Sequence, residues 1–429
     1  MSQCFKAVPL FDSHRPFYAL KRSTLFPEDI STVKTFVDLI ADGPVPEATD
    51  DYWHVKDFLW SKCRRSEATY NAFRSEAERF LLWAWCIHGK SIALMKKRDI
   101  EAYIDFVVNP PKSWIATQVC RRFESKDGQK KPNKNWRPFV VKLSKAERKE
   151  LLRGTPGTDI KPDSGNYVLA QKSLREVFSN LSVLYNHLVE EDYAFGNVIA
   201  AVKKASPHLI VDVSNDSVKR LSALQWEYVL ESTRTRADED PVWERHLFII
   251  AGMKSLYLRV SELSCRSNWS PKMGDFYREE DDWWFIVFGK GNKKRKVSVP
   301  VDFLEYLRRY RLSRGLDGLP AVGESSPLLH SMRKQNPGLR ARTIAMLAQE
   351  AFDLASENMA QDGFEDDAKV LLATSTHWLR HTGASMDVES RALKDLSADL
   401  GHGKLSTTDK EYVHADDRER AASGRKRRV

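Results

Sequence analysis

The sequence predicts a mainly α-helical protein with a small β-sheet, an α+β fold class. Apolar residues recur at helical spacing in long segments, from Tyr70 to Ala84 and from Leu174 to Leu188. Two shorter segments, 283–288 and 296–299, flank the sequence Gly-Lys-Gly-Asn and predict a β-hairpin. A polar segment at 203–219 separates the helical part from the part with the hairpin, which indicates two domains.

The first domain is expected to be a small helical bundle at 49–202. Ser66 can cap a long helix that ends at Gly89, and the next helix stops before two prolines at 110–111. A basic, extended segment near 110–166 is interpreted as an insertion, in which 144–152 has the pattern of a helix. Within it, basic residues surround Trp136, which fits either nucleic-acid contact or a solvated loop. Residues 1–48 are expected to form an arm or a small separate element.

The second domain is expected at 220–429, after the linker at 203–219. Ser222 and Gln225 have the spacing of a capping box, which marks the start of its first helix. The chain ends in a basic tail, Arg425 to Val429, that could dock on a neighbour or on DNA, or be a disordered end.

Composition favours a polyanionic partner and excludes a membrane protein. The 429 residues carry a formal net charge of +9, and no apolar run approaches the length of a membrane span. The polar start lacks the apolar region of a signal peptide. The five cysteines are odd in number and contain no Cys-x-x-Cys pair, which indicates reduced thiols and a cytoplasmic protein.

The residues that carry chemistry are concentrated between His377 and Tyr412. His377 and Arg380 are three residues apart, so one face of a helix can point both at the same ligand. Ser375 or Thr376 could cap that helix. Gly401 is suited to end a later helix, which would place His402 just beyond it.

This set of side chains fits phosphate chemistry better than metal binding. His377 and His381 are four apart and could form a metal pair. However, Arg380 places a fixed charge beside them, and the glutamate of a His-Glu-x-x-His zinc site is missing. The sequence therefore predicts no metal site.

The order of these motifs resembles the tyrosine recombinases, also called the phage-integrase family. The resemblance rests on His377-x-x-Arg380, on Gly401-His402, and on Tyr412 ten residues later. Upstream, it includes an Arg-x-Ser-Glu-Leu run that begins at Arg259 and a lysine in the hairpin turn, Lys290. The match covers roughly 221–413. One departure precedes Arg259: the family more often has Thr-Gly-Leu-Arg where this chain has Leu-Tyr-Leu-Arg at 256–259.

The resemblance implies a role for each matched residue. Arg259 and Arg380 would stabilise negative charge on a scissile phosphate, and His402 would hydrogen-bond it. Tyr412 would attack phosphorus and form a 3′-phosphotyrosine, while Lys290 protonates the leaving 5′-oxygen; Lys293 or Lys294 could take that role instead. His377 would accept the proton of the tyrosine, and Glu262 could hold Arg259 in place. No metal or nucleotide cofactor would be required.

The resemblance also implies partners and an architecture. The helical domain would be the core-binding (SAM-like) domain, which forms a C-shaped clamp on double-stranded DNA with the catalytic domain. Four protomers would pair two sites and exchange strands through a Holliday junction in the service of a mobile genetic element. Accessory DNA-bending or directionality proteins could take part. The enzyme would be cytoplasmic and associated with the nucleoid when bound to DNA. The basic positions that could contact DNA are Arg64, Arg65, Arg74, Lys130, Lys131, Lys172, Lys293, Lys294 and Arg295. The alternative for Arg64, Arg65, Arg74 and Lys172 is an ordinary solvated charge.

Two other classes share much of this pattern. A type IB topoisomerase would use nearly the same residues but would relax supercoils as a monomer without sequence preference. A DNA-binding relative with an inactive site is disfavoured because every expected catalytic residue is present.

Overall fold

A computed structural model describes residues 6–126, 128–141, 143, 147–148, 162–210, 219–266, 269–289, 293–330, 338–403, 405–412 and 425, without the side chains of 126 and 410–412. The chain divides into two compact units, 1–143 with 151–214 and 144–150 with 215–429. The division at 214 falls inside the segment expected to be a linker. The helix expected at 144–152 lies almost entirely outside the described residues.

Helices dominate the first unit, and two short strand pairs accompany them. The helices are α1 (His14–Tyr18), α2 (Ser31–Ala41), α3 (Ala48–Cys63), α4 (Glu67–Trp83), α5 (Lys97–Val108), α6 (Gln171–Glu190) and α7 (Val198–Ala205). The strands are β1 (Ile115–Ala116), β2 (Phe123–Lys126), β3 (Gln129–Pro132) and β4 (Phe139–Val140). Strands β2 and β3 form an antiparallel hairpin, and β1 pairs with β4 in parallel. Ser66 caps α4 by accepting a hydrogen bond from the Thr69 N–H, as its position predicted.

The N-terminal residues belong to the core of the first unit, in contrast to the separate arm expected for 1–48. Phe11 is 1% exposed and stacks on Tyr52 with 5.0 Å between ring centroids. The backbone N–H groups of Leu10 and Phe11 donate to the Glu78 carboxylate at 2.6 and 3.1 Å. Because these contacts satisfy a buried carboxylate on α4, the segment is fixed to the bundle.

The insertion near 110–166 is also packed where it is described. Trp136 is 7% exposed and lies beneath the Arg122 guanidinium, 4.9 Å from its ring centroid. It is therefore a core residue and not an exposed stacking platform for a base. The hairpin residue Lys130 forms ion pairs with Asp12 and Asp29, at 2.8 and 2.6 Å.

The second unit surrounds one buried helix. Its helices are α8 (Ala223–Glu239), α9 (Glu244–Ser255), α10 (Val260–Leu263), α11 (Phe303–Leu312), α12 (Ala341–Gln361), α13 (Glu365–Ala373), α14 (Thr376–Asp387), α15 (Leu393–Leu400) and α16 (Leu405–Tyr412). Helix α9 is apolar nearly all round from Leu247 to Met253 and packs against α8, α11, α12 and α14. The predicted capping box between Ser222 and Gln225 is formed at the start of α8.

A three-stranded antiparallel sheet lies beside these helices. Its strands are β5 (Phe276–Glu279), β6 (Asp282–Phe288) and β7 (Lys294–Val299), in the order β5-β6-β7. The hairpin of β6 and β7 was predicted, whereas β5 was not. The predicted fold class, mainly α-helical with a small sheet, is confirmed. No helix within the described part of the chain is both long and apolar enough to cross a membrane.

Helix α14 approaches α9 most closely at Gly383. A Cβ atom on Gly383 would lie 2.1 Å from the carbonyl oxygen of Lys254 and 3.1 Å from the Tyr257 ring. A glycine is needed here because any larger residue would push α9 and α14 apart. Helix α9 leads to Arg259, and α14 carries Arg380.

We expect Gly383→Ala to lower the free energy of unfolding by about 1–3 kcal/mol, since overpacking outweighs the roughly 1 kcal/mol that alanine gains in a helix. Chemical denaturation would measure this change. The control is Gly196→Ala, where no atom lies within 4 Å of the added Cβ and stability should hardly change. Equal stability of the two variants would contradict the close approach.

Candidate active site

The turn before Arg259 contains a tyrosine in a left-handed conformation. Tyr257 has φ +50° and is 2% exposed. Its hydroxyl donates to a carboxylate oxygen of Asp387 and accepts from Arg391 Nη1 at 3.0 Å. The recombinase pattern more often has glycine at this position. Here a tyrosine takes the left-handed conformation, and its side chain is held by its hydroxyl bonds and by packing against Ala384, Leu396 and Leu400.

Arg380 connects three segments of the second unit. Its guanidinium is 1% exposed and donates to the carbonyl oxygens of Tyr257 at 2.5 Å and Leu400 at 2.7 Å. Its Nη2 also lies 3.3 Å from His402 Nε2. Arg380 therefore joins α14 to the turn before Arg259 and to the end of α15.

His402 lies just past α15, as predicted, because Gly401 ends that helix with φ +67°. Its Nδ1 is 2.8 Å from Thr408 Oγ1. Since arginine can only donate, Nε2 accepts from Arg380, and we assign the ring proton to Nδ1, which donates to Thr408. Burial, together with the charges of Arg380, Arg259 and Arg295, lowers the pKa of His402 to about 4.

The two histidines of α14 meet edge to face, with ring centroids 4.3 Å apart. His377 is exposed at the start of the helix, and His381 lies one turn further in. The pKa of His381 is lowered to about 4, mainly by burial and then by the neighbouring His377 and Arg380. Ser375 is at the N-cap position of this helix, but its side chain makes no capping hydrogen bond.

A buried carboxylate holds Arg259. Glu262 is 0% exposed and accepts from the Arg259 backbone N–H at 2.8 Å and from its Nη1 at 3.3 Å. Arg295 donates to both Glu262 oxygens, at 2.6 and 3.1 Å. Burial alone would raise the pKa of Glu262, but the hydrogen bonds and charge of Arg295 lower it below its ordinary value. Arg259 keeps 30% of its side chain exposed.

These residues form a site suited to an anion. Arg380 Nη2 lies 3.3 Å from His402 Nε2, and Arg295 joins Glu262, which binds Arg259, to the Asp399 carbonyl just before His402. The charges of Arg259 and Arg380 both oppose the protonation of His402 and His381. Guanidinium groups bind phosphate oxygens in a fork and keep their charge at any working pH. A phosphate group there would meet fixed positive charges that need no reorganisation.

The remaining predicted residues are placed as follows. Lys290 lies outside the described residues, and Tyr412 ends α16 with its side chain outside them. Arg64, Arg65, Lys131, Lys293 and Lys294 are exposed. Arg74 was expected to be exposed but is 8% exposed and donates to the Asp12 carbonyl at 2.9 Å. Lys130 and Arg295 also have partners within the protein, so their charges are largely neutralised there.

Arg295 was predicted as a phosphate contact, and its contacts within the site were missed. Strand alternation could have revealed them, because Arg295 shares a face of β7 with the buried Val297 and Val299. Tyr257, Arg391 and Thr408 were also missed, and no pattern in the sequence identifies them.

Comparison with solved structures gives the chain the fold of the tyrosine recombinases. The XerH site-specific recombinase, in a post-cleavage complex with palindromic difH substrate, matches with a TM-score of 0.53 and 15% identity over 97% of this chain and 99% of that chain. A lambda integrase dimer bound to a COC′ core site gives a TM-score of 0.48 and 13% identity, over 91% and 86% of the chains. Comparisons with models of protein families and with curated sequences gave no match.

We expect Glu262→Gln to lower the free energy of unfolding by about 3–5 kcal/mol, because it leaves buried guanidinium charge without its carboxylate. The same substitution at Glu279 is the control. Glu279 pairs with Lys296 at 2.9 Å, but both side chains are at least half exposed, so little stability should be lost. Equal losses in urea denaturation would show that the Glu262 pairing is not a buried one.

The low pKa values of His381 and His402 predict loss of stability in acid. Between pH 6.5 and about 4 the unfolded chain binds protons at these residues and the folded chain does not, so their contribution to stability falls as the pH falls. We expect His402→Asn to weaken the pH dependence of the unfolding midpoint in this window. An unchanged slope would mean that His402 titrates normally in the folded protein.

Proposed function

We propose that this protein is a site-specific DNA recombinase that cleaves and rejoins strands through a covalent bond between Tyr412 and a 3′-phosphate. The observation that carries this proposal is the set of contacts that links Arg259, Arg380 and His402. Arg380 binds the Tyr257 carbonyl, two residues before Arg259, and its Nη2 lies 3.3 Å from His402 Nε2. Arg259 is held by Glu262, which Arg295 joins to the Asp399 carbonyl just before His402. This arrangement matches the residues that the motif resemblance assigns to a scissile phosphate.

The proposed reaction exchanges one phosphodiester for another. The Tyr412 oxygen attacks phosphorus, the bond from phosphorus to the 5′-oxygen breaks, and a 3′-phosphotyrosine and a free 5′-hydroxyl are formed. His377 accepts the phenolic proton, and Lys290 donates a proton to the leaving oxygen. Because the ester is conserved, a 5′-hydroxyl from another strand can reverse the step without a nucleotide cofactor.

Charge in the transition state is the main demand on the protein. The phosphorane-like state gathers negative charge on its non-bridging oxygens, and Arg259 and Arg380 stabilise it more than the ground state. Loss of one such donor typically costs about 100- to 1,000-fold in rate. The same negative charge offsets the field of the arginines at His402 and raises its pKa, so that Nε2 can be protonated and donate to the phosphate.

DNA is the proposed partner because the positive charge of the chain and the chemistry of the site both suit a polymer of phosphates. The net charge is +9, and exposed basic residues occur in both units, at Arg64 and Lys131 and at Lys293 and Lys294. The related XerH structure is a complex with its difH substrate. Assembly of four protomers on two sites, participation of accessory proteins, closure of the two units around a duplex and service to a mobile element belong to the same proposal.

A type IB topoisomerase is the alternative that uses nearly the same residues. It would relax supercoiled DNA as a monomer and without sequence preference. Formation of a sequence-specific complex that joins two duplexes would support the recombinase. Relaxation of any plasmid by a monomer would support the topoisomerase.

Tyr412→Phe should bind DNA but form no covalent adduct, since the variant lacks only the attacking oxygen. The measurement uses a nicked suicide substrate built from the DNA flanking the gene, followed by denaturing electrophoresis. Tyr18→Phe serves as the control because Tyr18 is an exposed tyrosine of the first unit, and it should form the adduct normally. An adduct in the Tyr412 variant would identify another nucleophile, and no adduct in the wild-type protein would count against cleavage.

A further inference from the structure

Arg295 lies between the two halves of the proposed site. On one side its Nη1 and Nη2 bind the Glu262 carboxylate, at 2.6 and 3.1 Å. On the other side its Nε donates to the Asp399 carbonyl at 2.9 Å, three residues before His402. The side chain is 13% exposed, so these contacts are largely removed from water.

The backbone next to His402 is fitted to this side chain. A Cβ atom on Gly401 would lie 2.9 Å from Arg295 Cδ and 3.1 Å from its Nε. Gly401 therefore serves two purposes: it takes the left-handed conformation that ends α15, and it leaves room for the Arg295 guanidinium. The placement of His402 in the structure thus depends on how Arg295 packs against Gly401.

We infer that Arg295 is a positioning residue for the proposed cleavage: it holds Glu262, and through it Arg259, on one side, and the Asp399 carbonyl at the end of α15, just before His402, on the other. This role rests on the proposed function. It does not require Arg295 to touch DNA, and it differs from the phosphate contact that a basic residue beside a hairpin tip suggests.

The charge of Arg295 supports this role. Within the described residues, the groups that act on the His402 ring are Arg380 and His381 from α14, Arg259 from the turn before α10, Arg295 from β7 and Thr408 from α16. The three arginines, together with burial, keep the ring neutral. Arg295 thus contributes to the protonation state of His402 as well as to its place.

Arg391 provides a matched control. It is also an arginine with hydrogen bonds to several segments, to Tyr257 Oη at 3.0 Å, Ser298 Oγ at 3.2 Å and Asp399 Oδ2 at 2.7 Å. Unlike Arg295, it is not among the groups that shift the pKa of His402. If Arg295 had a purely structural role, replacing Arg295 and replacing Arg391 would therefore have similar effects on the pKa of His402.

The test compares wild-type protein with Arg295→Gln, Arg295→Lys and Arg391→Gln. Histidine-selective NMR gives the pKa of His402 without any need for activity, and a nicked DNA substrate gives the single-turnover cleavage rate against pH. We expect Arg295→Gln to raise the pKa of His402 and to slow cleavage about 100-fold, as misplaced catalytic groups do. Arg295→Lys should keep the low pKa but cleave slowly, because lysine cannot bind both Glu262 oxygens.

Each outcome decides something different. Arg391→Gln should lower stability and leave the pKa of His402 as it is in wild type. If Arg295→Gln and Arg391→Gln change that pKa alike, or if Arg295→Gln cleaves at the wild-type rate, the inference is overturned. If wild-type protein forms no adduct, the proposed function fails, whereas the NMR comparison still tests the effect of Arg295 on the pKa of His402.

Discussion

The burial of the Arg380 guanidinium is the constraint on which the rest of the site depends. A permanent charge that is 1% exposed costs several kcal/mol unless hydrogen bonds compensate it. The carbonyl groups of Tyr257 and Leu400 supply that compensation, and they come from two different segments. Because both are needed together, α14 can pack only where the turn before Arg259 meets the end of α15. One buried charge therefore fixes the distance between the two halves of the site.

A second constraint follows from the balance of charge. In the described part of the site, Glu262 is a buried carboxylate under the influence of Arg259, Arg295 and Arg380. The remaining positive charge of the arginines acts on His381 and His402 and opposes the protonation of both rings. This excess of positive charge destabilises the free protein, and a bound anion would reduce the repulsion. The same charges that weaken the fold in acid would thus attract a phosphate, a usual relation between stability and function.

Local patterns allowed much of this architecture to be predicted. Helical spacing identified the main helices, and the ends at Ser66, Ser222 and Gly401 were correct because capping depends on residues only a few positions away. Contacts between distant residues could not be predicted in this way. Glu78 holds the N-terminal segment from 68 residues away, and Lys130 pairs with Asp12 across 118 residues. Strand β5 was missed because its residues, Phe276 to Glu279, have no clear alternation without their partner strand.

Tyr257 makes a left-handed turn at a position where the recombinase pattern more often has glycine. A left-handed tyrosine costs about 1–3 kcal/mol relative to glycine. Its buried ring and its hydroxyl bonds to Asp387 and Arg391 offset that cost. Asp387 lies on the same helix as Arg380, which binds the carbonyl of this tyrosine. The turn is therefore attached to α14 by both its backbone and its side chain. A glycine could provide only the first of these attachments, so the departure from the family pattern strengthens the placement of Arg259.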